Sequence, residues 1–145
     1  MNISNLELIP MLQTAIGPVI LISGVGLLLL TMTNRLGRAI DRARILATGP
    51  APHQKHIEAE VEILWKRAQI LRLAILLAAT SALCAALLII LIFSAALFEL
   101  QLAWPIATVF VGAMFCLSAS LIFFIRDINH ALEALKLELH PHVVD

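Results

Sequence analysis

Three stretches of the chain lack any charged side chain, and each is rich in aliphatic residues. A helix needs roughly 20 apolar residues to cross the ~30 Å hydrocarbon core of a bilayer. The stretches are long enough, and they lack the alternation of apolar and polar positions that is typical of strands. We therefore predict three membrane-spanning helices and treat the first as a retained anchor. The charge-free stretches are residues 8–34, 73–98 and 100–125, and the predicted spans are about 12–33, 73–97 and 104–125.

Apolar residues also recur at intervals of three and four beyond the spans, which is typical of a seam between packed helices. Glycine and prolines at positions 49–52 are expected to end the first helix before a second one begins. We predict an all-α integral membrane protein, with three transmembrane helices extended into a cytoplasmic three-helix bundle in one membrane domain, 1–145. The cytoplasmic parts would be a helical hairpin, 34–72, and a tail helix, 126–140. The alternative is a solvated tail helix that packs on nothing. The seam residues are Leu36, Ile40, Ala43 and Ala47; Ile57, Val61, Leu64, Ala68 and Leu71; and Ile128, Leu132, Leu135 and Leu139.

Composition supports a membrane protein: 61% of the residues are hydrophobic and 14% are charged. Soluble domains carry about 25% charged residues. All ten lysines and arginines lie in 34–72 or after residue 125, and the net charge is zero. Because basic residues favour the cytoplasmic side, the N-terminus is predicted outside and the C-terminus in the cytoplasm.

Small residues recur on the predicted spans, and such faces let helices approach closely in lipid. Gly17, Gly24 and Thr31 repeat every seven residues. Similar faces at intervals of four lie on the second and third spans. One chain does not obviously need so many faces, so a homo-oligomer is predicted.

The densest polar segment follows the first span. A structural interpretation is that its arginines reach the inner interface and attract anionic lipid headgroups. A functional interpretation is a basic site near a pore mouth or a lipid headgroup. Asp127 lies at the right depth to pair with Arg35 or Arg38. This basic inner-interface motif comprises Asn34, Arg35, Arg38, Asp41, Arg42, Arg44 and Asp127.

The run of residues 18–30, followed by Thr33-Asn34-Arg35-Leu36-Gly37-Arg38 and Asp41-Arg42-Ala43-Arg44, resembles a bacterial membrane family known as domain of unknown function 2721. The three-span layout with a helical cytoplasmic connection is also similar to that family. The resemblance implies a multi-pass protein of the bacterial cytoplasmic (inner) membrane. It supplies no activity, substrate or catalytic residue.

Four histidines form a second group that the predicted bundle would gather at its distal tip. Imidazole suits transition metals and responds to pH near neutrality. Solvated residues at a helix start and a frayed end are the simpler interpretation, and no metal site or cofactor is predicted. These residues are His53, His56, His140 and His142.

No enzymatic motif is present in the sequence, and the basic segment lacks the interleaved aromatic residues of nucleic-acid sites. We therefore predict a non-enzymatic oligomeric membrane protein, structural or accessory, whose partners are the bilayer, anionic headgroups and further copies of itself. No small-molecule ligand can be named. The alternative is a homo-oligomeric ion channel or transporter subunit, with the first span lining the pore. A membrane-protein insertase is a third hypothesis, based on architecture alone. The pore-lining candidates are Glu7, Gln13, Thr14, Ser23 and Thr31.

Overall fold

The computed structural model describes the backbone of residues 5–48 and 54–139, and the side chains of 9–48 (except Met11) and 61–131. It contains three α-helices: α1 (Asn5–Thr48), α2 (Gln54–Leu97) and α3 (Ala103–Leu139). Each is long and apolar enough to cross a membrane, within Leu12–Thr48, Val61–Leu97 and Ala103–Ala131. The predicted all-α fold with three such helices is confirmed. The exact span limits stay predictions.

The connection between α2 and α3 is a tight turn around Glu99. Glu99 has a φ of 52°, in the left-handed region. The Leu100 N–H donates to the Ala95 carbonyl at 3.0 Å, and the Phe98 N–H donates to the Ser94 carbonyl at 3.0 Å. These bonds satisfy carbonyls that the end of α2 would otherwise leave without partners.

Residues 5–30 and 77–118 form one compact unit. Its core consists mostly of small side chains, which let helix backbones approach closely. The Ser81 hydroxyl donates to the Ala113 carbonyl at 2.9 Å and so links α2 to α3. The buried apolar residues are Ala15, Val25, Ala78, Ala85, Leu88 and Ala113.

Residues 31–48, 54–76 and 119–139 form a second compact unit, which we call the buried-acid unit. Met32, Leu64, Leu71 and Ala74 are its buried apolar residues among the described side chains. The Ser120 hydroxyl donates to the Ala74 carbonyl at 2.7 Å, which links α3 to α2. The unit contains parts of all three helices. The cytoplasmic bundle stays a prediction.

The predicted seam is packed more closely on α2 than on α1. Leu64 and Leu71 of α2 are buried, whereas Ile40 of α1 is 44% exposed. Glu62 and Lys66, one turn apart on α2, form an exposed ion pair at 2.8 Å.

Candidate functional site: an arginine cavity around Asp127

Asp127 is the most deeply buried charged residue that the structure describes, with 1% of its surface exposed. Its carboxylate lies between two arginines from different helices. The Arg35 Nε of α1 is 3.6 Å from Oδ2, and the Arg67 Nε of α2 is 3.5 Å from Oδ1. Each arginine side chain keeps about a quarter of its surface exposed. One carboxylate of α3 is therefore shared between α1 and α2.

Helical spacing explains why these three side chains face inward. Arg35 follows the buried Met32 by three residues, and Asp127 follows the buried Ser120 by seven. Arg67 lies between Leu64 and Leu71, three residues after one and four before the other. Residues three, four and seven apart lie on one helix face, so each charged group belongs to a buried face.

Phe124 holds Arg35 from a second side. The Arg35 guanidinium carbon lies 5.5 Å from the centre of the Phe124 ring, within the range of cation–π attraction. Phe124 precedes Asp127 by three residues, so both contacts come from the same face of α3. This arrangement restricts the guanidinium in position and in orientation.

An open cavity of about 500 Å³ lies beside Asp127. Its charged lining, within the described part of the chain, consists of four arginines and one aspartate, a formal charge of +3. We call it the arginine cavity, defined by Arg35, Arg38, Arg42, Arg67 and Asp127.

Two polar atoms in the cavity wall lack a hydrogen-bond partner among the described residues. They are the Arg67 Nε and the Asp127 Oδ2. Both take part in ion pairs, but at distances longer than a good N–H···O bond. The wall therefore retains an unused N–H donor at Arg67 and an unused oxygen acceptor at Asp127.

The structure divides the predicted basic motif into two sets. Arg35, Arg38, Arg42 and Asp127 line the arginine cavity. The remaining residues of the motif are exposed and are not part of its lining: Asn34, Asp41 and Arg44.

Sequence reasoning did not predict that Arg67 belongs to the site. Its neighbours Trp65 and Lys66 are exposed, and they give no sign that the residue beside them faces inward. The available signal was its spacing from Leu64 and Leu71, which places Arg67 on the inner face of α2.

A second, smaller cavity of about 250 Å³ lies between α1 and α2 of the buried-acid unit. It is mainly apolar, and alanines contribute part of its wall on both helices. Leu36 and Ile40 line it from α1, and Val61 and Trp65 line it from α2. The small alanine side chains leave this part of the predicted seam incompletely filled.

The predicted pore-lining residues all belong to α1, and their role stays a prediction. Gln13, Thr14 and Ser23 are exposed on α1, and the Thr14 hydroxyl donates to the Pro10 carbonyl of its own helix at 2.9 Å. Thr31 is exposed and lines the arginine cavity. The side chain of Glu7 lies outside the described residues.

The side chains of the predicted histidine group lie outside the described part of the chain. His53, His140 and His142 lie outside the described residues, as does the side chain of His56. Among the described side chains, no three His, Cys, Asp or Glu residues are close enough to share a metal ion.

Comparison with known proteins assigns the chain to a family. Neither a curated protein nor a solved structure matches the chain. The model of a family described as protein of unknown function (DUF2721) matches residues 15–137, which include all of α1 after Thr14, the whole of α2 and the arginine cavity. Because the match covers most of the 145 residues, the chain belongs to the DUF2721 family.

Proposed function

We propose that this protein is a non-enzymatic, structural or accessory protein of the bacterial cytoplasmic membrane that works as an oligomer of identical chains. Its partners would be the bilayer, anionic lipid headgroups and its own copies. The hairpin 34–72 and the tail 126–140 would form a helical bundle in the cytoplasm, and the N-terminus would lie outside. This proposal gives the buried-acid unit the role of a cytoplasmic platform.

The observation that supports the proposal is that the buried polar side chains contact neighbouring helices. Three such side chains are present in the described residues: Ser81, Ser120 and Asp127. Each contacts a helix other than its own, through a carbonyl hydrogen bond or an ion pair. Buried polar groups used in this way join helices, whereas catalytic and transport sites keep such groups available to a substrate or an ion.

Charge distribution supports the proposed orientation. All ten basic residues lie in the segments assigned to the cytoplasm, and short loops rich in lysine and arginine are retained on that side. Trp104 at the start of α3 is 84% exposed, which suits an aromatic anchor at the opposite interface.

Reconstitution of the purified chain in liposomes distinguishes the proposed structural role from the alternative of an ion channel or transporter subunit. We expect no flux of Na⁺, K⁺, Cl⁻ or protons above that of empty liposomes, at several pH values. Flux that Ser23→Leu or Thr31→Leu abolishes would instead establish a pore lined by α1.

Cysteine labelling in intact cells tests the orientation, in a chain whose two native cysteines are replaced by alanine. An impermeant maleimide is expected to label Ile3→Cys but not Pro50→Cys. The reverse pattern in a membrane-inserted chain would contradict the proposed cytoplasmic platform.

A further inference from the structure

We infer that the arginine cavity is a binding site for a phosphate-bearing anion, either the headgroup of an anionic phospholipid or a soluble phosphate. Where the anion is a lipid headgroup, this inference rests on the proposed function, which includes anionic headgroups among the partners. It does not depend on how many copies of the chain assemble.

Charge is the first argument. Within the described part of the chain, four guanidinium groups and one carboxylate line a single cavity, and this predominance of positive groups favours an anion. Asp127 offsets part of the charge of Arg35 and Arg67, which are its ion-pair partners. Arg38 and Arg42, on the α1 wall of the cavity, add two further guanidinium groups.

Geometry is the second argument. Arg38 and Arg42 are four residues apart on α1, so they lie one above the other on one helix face. Guanidinium groups present several N–H donors in a planar fork that matches phosphate oxygens. The cavity, of about 500 Å³, is within the size range of small-ligand sites.

The unused donor in the wall is an independent observation. The Arg67 Nε is buried and has no hydrogen-bond acceptor among the described residues. A buried N–H without an acceptor is unusual in proteins, and a bound ion is one of its ordinary explanations. A phosphate oxygen would supply the acceptor that the Asp127 carboxylate, at 3.5 Å, does not.

Asp127 would position the site rather than bind the anion. Its carboxylate holds guanidinium groups from two helices together, and Phe124 further restricts one of them. Donors whose positions are fixed in advance lose less entropy when they bind.

The experiment compares the full chain with two single variants in neutral detergent. Native mass spectrometry measures retention of phosphatidylglycerol against phosphatidylcholine, and calorimetry measures binding of inorganic phosphate. Arg38→Gln removes a guanidinium from the cavity wall. Arg44→Gln is the matched control, because Arg44 is exposed on the same helix but does not line the cavity. Both positions are exposed, and size-exclusion profiles and circular dichroism check that both variants fold.

We expect Arg38→Gln to weaken binding about fivefold, which corresponds to one cationic side chain near an anion. Arg44→Gln should leave binding unchanged. Preferential retention of phosphatidylglycerol would identify a lipid headgroup as the ligand, and phosphate binding without lipid preference would identify a soluble anion. The inference is overturned by absence of both, or by equal losses in the two variants. The same spectra also give the number of chains in each complex. Loss of the proposed oligomer can therefore be distinguished from loss of anion binding.

Discussion

At the residue scale, the central feature is one carboxylate between two guanidinium groups. Removing a carboxylate from water costs several kcal/mol, and opposite charges nearby must offset that cost. The contacts of 3.5 and 3.6 Å act mainly through charge, because they are longer than good hydrogen bonds. Without the carboxylate, Arg35 and Arg67 would present like charges to each other. Asp127 therefore stabilises contacts among α1, α2 and α3 within the buried-acid unit.

Asp127→Ala should lower the free energy of unfolding by about 2 kcal/mol. Breaking a fully buried pair costs about 3–5 kcal/mol, and the expected value is smaller because both arginines are partly exposed. Denaturant titration followed by circular dichroism in detergent measures the change. Asp41→Ala is the control, because Asp41 is an exposed aspartate on α1, and it should shift the free energy by less than about 0.5 kcal/mol. A loss at Asp127 no larger than at Asp41 would contradict the ion-pair argument.

The sequence permits part of this site to be predicted. Arg35 and Asp127 each lie near the predicted cytoplasmic end of a span, so equal depth was enough to propose their contact, and the structure pairs them. Arg67 lies further along its helix from the charge-free window, in a group with exposed neighbours. Depth alone does not reveal its inward direction, because that depends on which face of α2 is buried.

At the element scale, the helices follow from local signals, whereas their packing does not. Long apolar windows and the Gly-Pro break are sufficient to predict three helices, since each signal acts within a few residues. The periodic seam predicts an inner face but not how closely it is filled. Leu64 and Ile40 line the same open cavity from facing helices, but Leu64 is buried whereas Ile40 is 44% exposed. Filling a seam depends on the combined volumes of side chains from different helices, which spacing along one helix does not measure.

At the element scale, the turn after α2 holds one residue in an unfavourable backbone conformation, and a substitution can remove this energetic cost. Glu99 occupies the left-handed position that usually belongs to glycine at a helix C-terminus. The left-handed conformation costs a residue with a Cβ roughly 1–2 kcal/mol, and glycine avoids this cost.

Glu99→Gly should therefore raise the free energy of unfolding by about 1 kcal/mol. This is less than the full cost of the left-handed conformation, because glycine also has more conformational freedom in the unfolded chain. Thermal unfolding in detergent measures it. Glu99→Ala removes the same charge but keeps the Cβ, so the difference between the two variants isolates the backbone effect. Equal melting temperatures for the two variants would show that the turn does not hold this residue in the left-handed region.

At the scale of the whole molecule, α1 carries an exposed face that the described residues leave uncovered. A methyl group added at Gly17 or Gly24 would meet no atom within 4 Å. Both glycines are exposed, and they lie seven residues apart on one face. Glycine lowers helix stability by about 1 kcal/mol relative to alanine, a cost that close helix packing in lipid can offset. Packing against a second copy would supply that contact.

Gly24→Leu tests this contact without weakening the helix itself, because leucine is the better helix former. A bulky side chain would hold the two α1 helices apart, and overpacking of this kind costs about 1–3 kcal/mol. Association should weaken about 10- to 100-fold, measured by native mass spectrometry across a series of protein-to-detergent ratios. Gly26→Leu is the matched control, since Gly26 is also exposed on α1 with open space around it but does not share the face of Gly17 and Gly24. Equal loss of association in the two variants would place the contact elsewhere, and an unchanged mass in both would remove this face from the assembly.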